Sequence, residues 1–568
     1  MGSPMPRDNL LQSITQKSLA LFEIWQKKPV LTSGILDQWQ QFSTNYINLA
    51  HVLYANQSSV QHSQYAYYQD ALELWHQPIQ DPKFSSVEWT QHPVFNLLSQ
   101  NYLLLKQHTD DLIEKMEYLD TSSAKKIKFF TRQILDAASP AHFLGTNPEV
   151  LHETMCTNGQ NLLVGFDRLL TDLAANPDHP TLHMTDPDAF KVGVNLAVTP
   201  GKVVYKNDLM ELIQYSPQTT HVQSVPLLVI PPWINKYYIM DLSPNNSLIR
   251  WLVRQGLTVF VISWVNPAEN HAHKGMEDYL NQGPIAAVDF IQKHLLVKQI
   301  NTVGFCIGGT LLAMLLAYYK SLEVQPVRSA TFLASMIDFS DPGDIGVFID
   351  EPQIAKIEEH MQSRGYLEGH WMASAFNSLR ANDLIWSFVI RNYLQGKSLA
   401  AFDLLFWNMD STNMPAKMHS EYLRWMYLQN DLVKPGKIVL NQQPLDIHQV
   451  DLPVFFVSTK KDHIAPWKTT YAGFQLFSGE KKFLLAGSGH IAGIIIPPGS
   501  DKYGYHINDH HYVHPDDWLS NSRHYTGSWW PEWYKWLKQQ SGKTIAIPEI
   551  TGEYTPAPGE YVHIRHVI

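Results

Sequence analysis

The sequence predicts an α/β fold preceded by an all-helical region, and three observations carry that expectation. Short runs rich in Val, Ile and Tyr begin near Ala197 and alternate with helical stretches, the pattern of a mostly parallel sheet with helices on both faces. Upstream, from Asp8 to about Asp188, there is helical periodicity and little strand signal. One predicted strand, Gln299 to Val303, runs into Gly304-Phe305-Cys306-Ile307-Gly308-Gly309-Thr310, where a G-x-C-x-G sequence opens an apolar helix.

In the helical region Leu10, Leu11, Ile14, Leu19, Leu21, Phe22 and Trp25 form one apolar face, and residues 87–116 read the same way. Pro148 after Asn147, and Pro187 between two aspartates, sit where helices start. No catalytic constellation is visible there, and Cys156 reads as structural. Lys202 to Lys206, Met210 to Tyr215, Pro226 to Ile230 and Thr258 to Trp264 read as strands, with Asn246 to Gln255 a helix between them; Ala330 to Ile337 follows the elbow. From about Phe339 to Val450 the chain is helical and aromatic, with Trp371, Trp386, Trp407, Tyr422, Trp425 and Tyr427 among its rings. Strands resume at Val454 to Ser458 and Lys482 to Leu485. An insertion at that point falls where a lid would cover the strand ends. A last helix spans Trp529 to Gln539, and the Pro- and Gly-rich tail after Ile547 reads as extended. The expected division is a helical domain over 1–195 and a catalytic domain over 196–568, with a cap over about 339–450.

Composition narrows the function. A chain of 568 residues is too long for one core, and its net charge of -10 with no basic block argues against nucleic acid as a partner. Two cysteines, Cys156 and Cys306, speak for a reducing compartment. The first twenty residues lack a signal-peptide core, and no apolar run nears the ~20 residues needed to span a bilayer, so a cytoplasmic protein is expected.

Glycines on both sides of Cys306 allow the sharp strand-to-helix turn of a nucleophile elbow, which sets the thiol over a helix N-terminus. In sheets of the α/β-hydrolase type the acid and then the histidine follow in loops after later strands. Asp462, after Val454 to Ser458, fills the first role, and His490, after Lys482 to Leu485, fills the second. His463 is a rival base, but it neighbours the acid in sequence. The oxyanion hole is expected from the amide of Ile307 and, in the loop Pro231 to Tyr238, from that of Ile234. His506, His510, His511 and His514 have no recognisable zinc spacing, and no metal is expected.

With these residues in view, the chain resembles poly(3-hydroxyalkanoate) synthases, in particular the long single-subunit class I enzymes. The shared words are GFCIGGT, PPWINKYYIMDL, NSLIRWLVRQGLTVFVISWVNP, DFSDPGDIGVFIDEP, NSLRANDLIW, AFDLLFWNMDSTNMP, DHIAPW, GSGHIAG and GSWWPEW, with FFTRQILDAASPAHFLGTNPEV upstream. The resemblance implies an α/β-hydrolase core and polymerisation of (R)-3-hydroxyacyl-CoA, short-chain substrates such as 3-hydroxybutyryl-CoA foremost, with release of CoA and a cysteine acyl-enzyme. It carries the catalytic roles to Cys306, Asp462 and His490, and implies a growing polyester chain, a storage-granule surface and a second copy of the chain as partners. No cofactor is implied, since CoA leaves with each turnover. An acidic protein needs local positive charge to hold CoA; Arg380 is the first candidate, with Arg250 and Arg424 behind it. The competing readings are a cysteine hydrolase of the same fold and a granule-coating protein with a silent site.

Overall fold

The computed structural model describes residues 7–27, 57–74, 78–115, 121–175, 182–548 and 552–565. The chain divides into two compact units, Met1–Asp186 with Phe376–Ala400, and Pro187–Ala375 with Ala401–Val567. Phe22 and Trp25 of the predicted apolar face have side chains outside the described set.

The first unit is helical. Its long helices are α1 (Arg7–Lys27), α2 (Gln57–Glu73), α3 (Pro93–Glu114), α4 (Thr121–Ala137) and α5 (Gln160–Ala175). In α1 Leu10 and Leu21 are buried, whereas Leu11 and Leu19 face outward, so the buried stripe is narrower than the spacing of its leucines suggests. Ser13 and Lys17 of α1 bond Asp167 of α5 at 2.7 and 2.8 Å. As expected, Asn147 caps the helix that Pro148 opens, its Oδ1 accepting from the Glu149 amide at 2.9 Å; Pro187 lies in a turn and starts no helix.

Residues 376–400, within the stretch read as a cap, pack with this helical unit. Tyr393 donates to Asp172, and the side-chain amides of Asn161 and Asn392 donate to the carbonyls of Leu394 and His183 at 2.8 and 2.9 Å. Gly165 makes the approach possible, because a Cβ there would stand 1.8 Å from the Tyr393 carbonyl oxygen.

The second unit is built on one sheet of eleven strands: β1 (Gly201–Lys206), β2 (Met210–Tyr215), β3 (Leu227–Ile230), β4 (Val259–Trp264), β5 (Ile300–Phe305), β6 (Val327–Leu333), β7 (Val454–Thr459), β8 (Lys481–Ala486), β9 (Gly504–Ile507), β10 (Arg523–Thr526) and β11 (Thr555–Pro556). Their order is β10-β9-β8-β7-β6-β5-β3-β4-β2-β1-β11. The run from β4 through β3, β5, β6 and β7 to β8 is parallel, and the outer strands pair antiparallel. All residues of β3, β4, β5 and β7 are buried, as central parallel strands covered on both faces must be. Helix α6 (Ile307–Ser321) follows β5 and is buried along nearly its whole length.

Both edges of the sheet come from stretches after residue 500. The histidine-rich stretch supplies β9, and β10 follows it; neither had a clear strand signature. The extended tail adds β11 to the edge of β1, pairing Lys202 with Pro556 and Val203 with Thr555. Among the described residues, no helix is long and apolar enough to cross a membrane.

Candidate active site

Strand β5 ends at Phe305, and Cys306 turns the chain. Its φ of +53° and ψ of -125° lie where an L-residue is strained. Three glycines make this turn fit. A Cβ on Gly304 would come within 2.4 Å of Gly309 Cα, one on Gly308 within 2.1 Å of the Ile230 carbonyl oxygen, and one on Gly309 within 2.0 Å of Ser335 Oγ. The Cys306 amide donates to the Leu333 carbonyl of β6 at 2.9 Å, while its own carbonyl accepts from Gly309 at 2.9 Å and begins α6.

The loop after β7 supplies a fully buried carboxylate. Asp462 Oδ1 accepts from the amides of Ile464 and Ala465 at 3.0 and 2.8 Å, and Oδ2 accepts from Thr459 Oγ1 at 2.9 Å. The same Oδ2 lies 2.8 Å from His490 Nδ1, in the loop after β8. A proton held on Nδ1 by that bond leaves Nε2 to face the thiol. His490 stacks on Phe305, the residue before Cys306, with 5.6 Å between ring centroids.

Burial disfavours charge on His490. The carboxylate of Asp462 and the sulfur of Cys306, each also hydrogen-bonded to the ring, outweigh it and hold the imidazole pKa well above its ordinary value. The structure therefore brings Cys306, His490 and Asp462 into one line of hydrogen bonds that favours imidazolium.

The histidine loop is fixed from behind. Trp529 and Trp530, in GSWWPEW at the start of the last helix, donate their indole N–H groups to the carbonyls of Gly493 and Ile494, each at 2.9 Å. Both rings are buried, so they are core residues that also hold the loop of His490.

Above the thiol the insertion contributes a π-helical turn, Leu423–Leu428, directly after the helix Ala416–Tyr422. Such a wide turn brings residues five apart to one side, and turns of this kind gather at functional sites. Tyr422 and Tyr427 are so placed, with rings 5.6 Å apart. Burial raises the pKa of both phenols, and the negative sulfur of Cys306 adds to it. Sequence periodicity had counted these rings only as aromatic cover; the five-residue spacing is the signal that could have paired them.

Ile307 is the first residue of α6, whose early amides have no intrahelical acceptor. Ile234 packs against the same core cluster as Cys306. Its loop is gripped by the insertion: Thr412 donates its amide to the Ile234 carbonyl at 3.2 Å and its hydroxyl to the Trp233 carbonyl.

Each candidate arginine has protein partners of its own. Arg380 belongs to the helical unit and bonds Asp383 through Nε at 2.9 Å. Arg250 donates to Thr199 Oγ1 and the Val198 carbonyl, and Arg424 to Glu351 and Glu358, which fits structural roles for both. His506 bonds Ser522 at 3.0 Å, and His511 packs on Phe474.

Residues 226–495, which hold Ile234, Cys306, Asp462 and His490, match the model of the alpha/beta hydrolase fold. Residues 80–252 match that of the poly-beta-hydroxybutyrate polymerase N-terminus. Among curated relatives, the poly(3-hydroxyalkanoate) polymerase of Methylorubrum extorquens is 47% identical over 86% of this chain and 81% of its own. This chain belongs to the poly(3-hydroxyalkanoate) polymerase family. The polymerase subunit of Rhizobium meliloti is 42% identical, covering 85% of this chain and 80% of its own, and that of Cupriavidus necator is 38% identical, covering 86% and 84%. As a member of the polymerase family the chain is an acyltransferase carried on an α/β-hydrolase core.

Proposed function

We propose that this polymerase builds polyester from (R)-3-hydroxyacyl-CoA, short units such as 3-hydroxybutyryl-CoA foremost, by way of an acyl-enzyme on Cys306. The observation that carries this reading is the His490 ring, bonded to Asp462 through Nδ1 and to Cys306 on its other side, at the elbow.

In the first step Sγ attacks the thioester carbonyl, the oxyanion is met by the amides of Ile307 and Ile234, and the imidazolium returns the proton to CoA as it leaves as thiol. One thioester replaces another, so the acyl group stays activated; an ester on serine would be more stable and slower to transfer. In the second step the hydroxyl of a second hydroxyacyl unit, its proton taken by His490, attacks the acyl-enzyme. An ester forms and Cys306 is regenerated. Tyr422, Tyr427 and the other buried rings of the insertion limit water, which would otherwise end the chain by hydrolysis.

No cofactor enters either step. Arg380 is proposed to hold CoA, and the enzyme is proposed to act as a cytoplasmic homodimer at the surface of the granule it makes. Incubating purified protein with (R)-3-hydroxybutyryl-CoA tests the reading. Insoluble polyester and stoichiometric CoA from the wild type, with neither from a folded Cys306→Ala variant, is the expected result. Free hydroxy acid as sole product would instead mark a hydrolase, and release of CoA without Cys306 would remove the nucleophile.

A further inference from the structure

The oxyanion loop ends in a lysine that these steps do not use. Lys236 is 2% exposed, and its ammonium donates to two backbone carbonyls, of Ile564 at 2.8 Å and of Tyr561 at 3.4 Å. Both acceptors belong to the stretch after β11, more than three hundred residues away in sequence. Its nearest acid, Asp410, is turned to other partners: Oδ2 accepts from the Tyr238 hydroxyl at 2.9 Å, and Oδ1 pairs with Arg565 at 3.3 Å.

An ammonium buried against neutral carbonyls is costly, and burial draws its pKa down to about 8, against the pull of Asp410 and with some help from Arg565. A methionine would fill the same space without that cost, so the lysine adds something other than stability. What it adds is a link between the loop and residues 560–565.

That stretch is itself anchored. The amides of Glu560 and Tyr561 donate to the buried Glu211 Oε2, each at 2.9 Å, and the Tyr561 hydroxyl donates to the Asn207 carbonyl at 2.6 Å. The Ile564 carbonyl also accepts from Asn266, whose own side-chain oxygen takes the Asn413 amide at 2.9 Å. On the loop's other side, Trp407 donates its indole N–H to the Lys236 carbonyl at 2.6 Å. Loop residues 233–236 are thus held between the insertion segment 407–413 and a strap of residues 560–565.

We propose that Lys236 is a positioning residue for acyl transfer, tying the oxyanion loop to the strap so that its amide stays aimed at the developing negative charge. This rests on the proposed acyl transfer at Cys306, with the loop supplying half of the oxyanion hole. Loss of the tie loosens the donor without touching the thiol or its base.

The test separates reactions at Cys306 that do and do not form an oxyanion. Alkylation by iodoacetamide needs only the sulfur, whereas acylation by 3-hydroxybutyryl-CoA needs the hole as well. In full-length Lys236→Met, kcat for CoA release falls about tenfold or more, KM changes less than about threefold, and the alkylation rate stays within about twofold of wild type. Tyr561→Phe, which removes only the hydroxyl that anchors the strap to the Asn207 carbonyl, lowers kcat in the same direction by a smaller factor, and it carries the test alone if the buried variant does not fold. An unchanged kcat in both variants, or alkylation falling in step with CoA release, overturns the proposal. Failure of the underlying reading looks different: wild-type CoA release would then survive Cys306→Ala.

Discussion

Gly308, two residues after Cys306, faces the carbonyl oxygen of Ile230 so closely that an added Cβ would stand 2.1 Å from it, with the Pro231 oxygen at 2.8 Å. Here the helix of the thiol and the strand feeding the oxyanion loop touch backbone to backbone, and neither can move aside alone. Gly308→Ala is expected to cost about 1–3 kcal/mol and to remove most activity by parting the start of α6 from the loop Pro231 to Tyr238. Gly145→Ala, where a Cβ meets nothing within 4 Å, is the control and should lie within about 0.5 kcal/mol of wild type. Urea denaturation of both variants reads the difference.

The backbone at Cys306, with φ +53°, gives a second expectation. Cys306→Gly and Cys306→Ala both lose CoA release, but the glycine variant should be the more stable by about 1 kcal/mol, because only glycine takes this conformation without strain. A thermal scan showing alanine equal or better would mean the turn is relaxed.

The His490 imidazole is held up in pKa by Asp462 first and Cys306 second once its burial is overcome. Its titration should therefore move down in Cys306→Ala and further down in Asp462→Asn, as read by NMR of labelled histidine. The sign for stability follows: a group whose folded pKa is raised contributes fully below its unfolded value, near 6.5, and loses that contribution as pH climbs through the folded one. The stability gap between wild type and Asp462→Asn should accordingly narrow at alkaline pH.

Asp462→Asn also bears on mechanism. Single-turnover measurements should show elongation slowed far more than first acylation, since only elongation requires a hydroxyl proton to be removed. Loss of acylation instead would assign Asp462 to orienting His490 in the first step.

Arg380 and Asp383 form a short exposed pair on the helical unit, worth little to the fold. Arg380→Ala should leave stability within about 0.5 kcal/mol of wild type while raising KM for the acyl-CoA by about tenfold, if the guanidinium meets a phosphate. Unchanged KM would release this arginine from any role toward CoA.

That Cys306, Asp462 and His490 come together was legible because each follows a buried strand in the right order, and a strand, its loop and one polar residue form a local pattern. The Trp529 and Trp530 indoles that brace the histidine loop read as core, which they are; that they also satisfy the Gly493 and Ile494 carbonyls depends on contacts more than thirty residues apart. Nothing near Lys236 in sequence tells of the Ile564 carbonyl that it bonds. The helical insertion was visible, yet residues 376–400 pack with the other unit through Asn161, Asp172 and Gly165, and periodicity shows that a helix has a buried face without saying against what. The strands β9 and β10 escaped notice since histidines and single polar residues blur the alternation that marks an edge strand.

The strap has a consequence for the birth of the enzyme. Synthesis runs from the amino end, so the thiol, the carboxylate and the imidazole are all made before residues 560–565, which can be threaded past Glu211 and Lys236 only after the base has been translated. Loop residues 233–236 can therefore be fixed on that side only after residues 560–565 have been made.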